Sequence, residues 1–175
     1  TRDRWRGPIT ALGPLAIAAS ADGTLLAVRA ADGEVAWRHE LGDLPRFPLI
    51  PDGEGLLVAG SHNLVRRLDA ATGRVLAEHR LPGWPTGFAP AGDEFIACAT
   101  RGGTVAFLRR SDLALRRQVR LGRTLVEGLL HVADAPLRWS AAGTSGGFLV
   151  DRGPGVLVAD DRGYVCLLPV PEAGP

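Results

Sequence analysis

The chain of 175 residues has no methionine and no lysine, and only one asparagine, Asn63, and one glutamine, Gln118. All 20 basic residues are therefore arginine, a usage we read as the codon bias of a GC-rich genome. Without methionine the chain, beginning at Thr1, reads as a processed product or part of a longer polypeptide. No apolar run approaches the roughly 20 residues that cross a bilayer, so a membrane partner is not expected. Twenty basic residues face 19 acidic ones, which leaves no global electrostatic footprint for nucleic acid. Cysteine is scarce too: Cys98 and Cys166 sit in apolar sequence and read as buried free thiols. Nothing suggests a cross-link, which favours a reducing compartment, and the expected location is cytoplasmic. Helical periodicity is nearly absent. Apolar residues alternate or run in short bursts between Gly, Pro and Asp clusters, which predicts an all-β chain.

What is present is a gap-free repeat of 40 residues. Leu41, Leu81 and Leu121 fall in one column, Val28, Leu68 and Leu108 in another, and Gly33 matches Gly73. A fourth copy follows at an offset of 60 from the third, with Gly147-Phe148 over Gly87-Phe88, Ala159 over Ala99, Val165 over Val105 and Leu168 over Leu108. In the second copy the pattern predicts strands at Phe47–Ile50, Leu56–Gly60, Leu64–Ala70 and Val75–Leu81, with turns at Pro51-Asp52-Gly53, Ser61-His62-Asn63 and Ala71-Thr72-Gly73. Four strands per repeat near 40 residues predict a β-propeller, each repeat one antiparallel blade. The blades fall at about 7–41, 46–81, 86–121 and 146–170, the last lacking its fourth strand. The preferred reading is a segment of a larger propeller, completed by further sequence or another chain. A closed four-bladed ring, with the N-terminal segment around Trp5 supplying the missing strand, stays open. Between the third and fourth blades lies a long insertion, 122–145, which we expect to form an extra strand pair or a short helix, with its β-branched residues favouring strand.

Two stretches, Val28-Arg-Ala-Ala-Asp-Gly-Glu-Val-Ala-Trp-Arg-His-Glu-Leu41 and Leu68-Asp-Ala-Ala-Thr-Gly-Arg-Val-Leu-Ala-Glu-His-Arg-Leu81, resemble the repeat of quinoprotein-like (PQQ-repeat) propellers. That repeat places a small-residue turn before a strand with a docking Trp. Trp37 fits the slot, whereas Ala77 and Arg117 do not. The Pro51-Asp-Gly turn is similar to those of bacterial WD-repeat and YVTN propellers, although no Trp-Asp dipeptide occurs. The resemblance covers about 7–170. It implies a rigid disc presenting loops to protein partners, as a sensor or scaffold in a larger bacterial protein. The alternative it carries is a fragment of a propeller enzyme, either a quinone-dependent dehydrogenase or one of lactonase or lyase type.

No residue set carries catalysis, so no catalytic residue, cofactor or metal is expected. The histidines His39, His62, His79 and His131 are dispersed, and His39 and His79, one repeat apart, read as repeated packing residues rather than ligands. Gly143-Thr-Ser-Gly-Gly147 lacks the spacing of a nucleophile elbow and reads as a loop. Two surfaces remain. In an up-and-down blade the loops between strands two and three and those between blades emerge on one face. This predicts a partner-binding set of His62, Trp84, Arg101, Arg138, Trp139 and Arg162, since exposed Trp and Arg anchor interfaces. Trp84 and Trp139 folding back as lids on the blade ends is equally compatible. The second surface is a basic patch of Arg109, Arg110, Arg116, Arg117, Arg120 and Arg123 on the third blade. A basic outer strand blocks edge-to-edge association; the sharper reading is a dock for an acidic partner or a phosphate backbone. The expected function is thus non-enzymatic protein interaction or scaffolding.

Overall fold

The computed structural model describes residues 9–42, 49–60, 62–121, 125–132, 155–160 and 165–172. All the regular structure among them is strand. The chain divides into two compact units, Thr1–Leu81 and Pro82–Pro175.

The first unit holds two four-stranded antiparallel meanders. One runs β1 (Thr10–Leu12), β2 (Leu15–Ala19), β3 (Thr24–Arg29) and β4 (Val35–Glu40). The other runs β5 (Ile50–Asp52), β6 (Gly55–Ala59), β7 (Leu64–Asp69) and β8 (Val75–Arg80). Pro51-Asp52, read from sequence as the start of a turn, belongs to β5: Pro51 lies opposite Leu56 and Asp52 opposite Gly55. Proline is tolerated there because β5 is an edge strand. Asp52 is held by Arg67, whose Nε lies 3.1 Å from its carboxylate. A side chain at position 55 would meet that guanidinium at 3.1 Å, so a glycine stands at the crossing. Phe47 and Pro48, the start of the expected strand, lie outside the described residues.

A single four-stranded sheet cannot bury enough apolar surface alone. Here the two sheets pack through Ile17, Leu25, Ala27, Trp37 and Leu41 against Leu49, Leu56, Val58 and Leu68. Each fully buried Leu or Ile contributes about 1.5–3 kcal/mol. Trp37 is the joint. Its Nε1–H donates to the Ala70 carbonyl at 2.8 Å, and its ring lies over Gly73. Gly73 has φ +71, and a Cβ there would fall 2.5 Å from Trp37 Cε3. Only glycine satisfies both the left-handed turn and the ring contact.

The second unit holds β9 (Pro85–Ala91), β10 (Phe95–Thr100), β11 (Thr104–Arg109) and β12 (Leu115–Arg120), in the spatial order β12-β11-β10-β9. A three-stranded sheet follows, β13 (Leu125–Val132), β14 (Gly155–Asp160) and β15 (Val165–Pro169). The core between them contains Phe95, Ala97, Ala99, Val105 and Phe107 with Val156, Val158 and Leu168. Strand β13 comes from the segment read as an insertion, in the strand form favoured there. It occupies the place beside β14 for which Gly147-Phe148 had been the sequence match: Leu129 pairs with Val158 as Phe88 pairs with Cys98. Leu129 therefore stands where Phe88 stands in the preceding sheet.

The outer strand of each four-stranded sheet carries the same irregularity. Ala27 lies opposite Trp37 but Val28 opposite Val35; Arg67 opposite Ala77 but Leu68 opposite Val75; Phe107 opposite Arg117 but Leu108 opposite Leu115. One residue per strand, Ala36, Leu76 or Arg116, is thus extra, a bulge that increases local twist. The preceding turns close alike: the N–H of Gly33, Gly73 and Leu113 donates at 2.8 Å to the carbonyl of Arg29, Asp69 and Arg109 respectively. Leu113 does so at φ +58, a conformation costly for a side chain, and is 1% exposed. Its burial offsets the strain.

Candidate interaction surface

Among the described residues no three His, Cys, Asp or Glu side chains converge to hold a metal. His39 faces Leu25 and His79 faces Val65 across their sheets. Burial holds the His79 imidazole below its ordinary pKa. Cys98 is a free thiol with no exposed surface, and burial pushes its pKa far above the ordinary range. It packs as a small apolar side chain.

Of the six residues expected on a partner-binding face, the structure brings Trp84 and Arg101 together. Trp84 precedes β9 in the Pro82-Gly83-Trp84-Pro85 turn and is 45% exposed. Its carbonyl accepts the Arg101 N–H at 2.8 Å. The β10–β11 turn bearing Arg101 is itself braced, with Thr100 Oγ1 donating to the Thr104 carbonyl and accepting its N–H, both at 3.3 Å. Exposed Arg101 has no ion pair among the described residues. An indole and a guanidinium are thus held on a stiff backbone frame, which lowers the entropy lost when a partner binds.

His62 belongs to the other unit, in the β6–β7 turn, where its carbonyl accepts from Arg80 at 3.2 Å. Arg138, Trp139 and Arg162 lie outside the described residues.

The basic patch separates into bound and free cations. Arg109 pairs with Asp112 at 3.2 Å. Arg110 donates to the Gly92 and Asp93 carbonyls at 3.4 and 3.2 Å. Arg117 reaches across to the Pro169 carbonyl at 3.4 Å. It stands in the repeat column of Trp37, so the slot that its residue type did not fit is filled by a guanidinium making the analogous inter-sheet bond. Arg116 and Arg120 are exposed, with no hydrogen bond or ion pair among the described residues. Arg123 lies outside them.

Known structures share this arrangement of sheets. BamB from Moraxella catarrhalis superposes with a TM-score of 0.56 at 14% identity, covering 90% of this chain and 50% of that one. The computationally designed Ika4 protein gives 0.71 at 13% identity, covering 93% and 89%. BBS1N, solved in complex with ARL6DN, gives 0.62 at 13% identity, covering 88% and 46%. At these identities the likeness establishes the β-propeller fold alone, and the chain spans half the length of the BamB chain. A comparison with curated proteins finds no match. The sequence model of the PQQ_2 family, outer membrane protein assembly factor BamB, matches residues 2–133. Three-quarters of the chain thus carries that family's pattern, on sheets of the propeller type, and the chain belongs to the PQQ_2 family.

Proposed function

We propose that this chain is a non-enzymatic protein-interaction module, a scaffold within a larger propeller, that grips a protein partner through Trp84 and Arg101. The observation that carries the reading is the Trp84–Arg101 frame: an exposed aromatic and an uncompensated cation tied by a backbone hydrogen bond, the residue types that dominate interface energetics. Two names lend support. The family is described as an assembly factor, and BBS1N was solved with a protein partner. The half-length coverage of BamB and BBS1N supports a place in a larger propeller.

The test is quantitative crosslinking and mass spectrometry in the native host with the wild-type chain and a Trp84→Ala/Arg101→Glu variant. A specific protein enriched on the wild type and lost on the variant, with Tm unchanged, supports the surface. Retention of the same proteins, or a lowered Tm showing Trp84 to be a lid, overturns it.

A further inference from the structure

Strand β12 differs from its counterparts in a way packing does not require. In β4, Arg38 lies 3.4 Å from Glu40; in β8, Glu78 pairs with Arg66 at 2.8 Å and Arg80 is satisfied by a carbonyl at 3.2 Å. Strand β12 reads Leu-Arg-Arg-Gln-Val-Arg, with no acid and only Val119 shielded from solvent. It is an edge: among the described residues it pairs with β11 alone.

The backbone direction of that edge can be read from the ladder. The Leu121 N–H donates to Gly103 at 2.7 Å, toward β11. Donors and acceptors alternate sides along an antiparallel strand, so the N–H and C=O groups of Arg120 and Gln118 point outward. Their side chains share one sheet face, opposite Thr104 and Ala106, while Val119 and Arg117 take the face of Val105 and Phe107. The open edge therefore offers backbone donors and acceptors on the residues that carry an uncompensated guanidinium and an amide, next to the bulged Arg116.

We propose that β12 is a docking strand for an extended acidic peptide, which adds to the sheet edge and sets carboxylates against Arg120 and Arg116. Charge complementarity selects the occupant. Guanidinium groups accept carboxylates bidentately, and an added strand supplies N–H donors to the outward carbonyls. A phosphodiester backbone supplies acceptors only and would leave those carbonyls unpaired. This surface is separate from the Trp84–Arg101 frame and does not depend on it.

The experiment is fluorescence anisotropy on the full chain with a labelled peptide of alternating glutamate and valine, long enough to span the six residues of β12. Saturable binding is expected. It should weaken by about tenfold or more in Arg116→Glu/Arg120→Glu, weaken similarly when alternate peptide nitrogens are methylated, and be indifferent to Trp84→Ala. Both arginines are exposed, so the double variant should fold; if it does not, Arg116→Gln/Arg120→Gln takes its place. Three results overturn the proposal: no saturable binding, binding unchanged by the substitutions, or equal binding of the methylated peptide. A single-stranded oligonucleotide binding more tightly than the peptide, with the same dependence on the two arginines, would assign the edge to phosphate instead and also overturn it.

Discussion

The two units use one repeat to build two different joints. At position 37 an indole is buried to 8% exposure and donates to Ala70 over a glycine that cannot be replaced without a clash. At position 117, two repeats on, an exposed arginine makes a single long bond of 3.4 Å to Pro169. In both strands the residue follows the same bulge. The repeat therefore preserves the place from which a side chain reaches the next sheet, and leaves its chemistry to vary. The first unit relies on the ring for cohesion, because among the described residues its cluster has no other aromatic. The second unit draws its aromatic volume from Phe95 and Phe107 within the sheet, so the joint can be polar.

Trp37→Ala should give the largest effect, a loss of about 3 kcal/mol in urea unfolding. Gly73→Ala should cost about 2 kcal/mol in the wild type through the left-handed φ and the clash. It should cost less once the ring is gone, and a double-mutant cycle reads that coupling. Strict additivity would show that the ring and the glycine are not one device. Leu113→Gly sits between: it relieves about 1 kcal/mol of backbone strain and forfeits about 2 kcal/mol of burial. The net should be a destabilisation of about 1 kcal/mol, and a gain in Tm would mean that strain outweighs packing there. Arg117→Ala should change stability by no more than about 0.5 kcal/mol. A loss near that of Trp37→Ala would erase the contrast between the joints.

Much of this fold was legible in the spacing. The columns of Leu41, Leu81 and Leu121 mark the residue after each outer strand, and Val105–Val165 and Leu108–Leu168 correctly aligned β11 with β15. The first strand of the last sheet was harder, because a long segment separates β13 from β14 and so splits the copy internally. A dipeptide match, Gly147-Phe148, outcompeted Leu129, whose pairing with Val158 only the ladder shows. In β5, turn chemistry at Pro51-Asp52 masked an edge strand, whose Asp52 carboxylate is held by Arg67 of β7, two strands away. The surfaces were legible as composition only. Sequence counts six arginines in the patch; it does not say that Asp112 and three backbone carbonyls engage some of them and, among the described residues, leave Arg116 and Arg120 unengaged.

The extra residue in each outer strand has an evolutionary reading. Ala36, Leu76 and Arg116 occupy one structural position with three unrelated chemistries, and all are exposed. Because the strand already accommodates the surplus residue, exchanging its side chain leaves the pairing on either side untouched. These positions behave as interchangeable sockets, where a side chain can be rewritten without renegotiating how each sheet is paired.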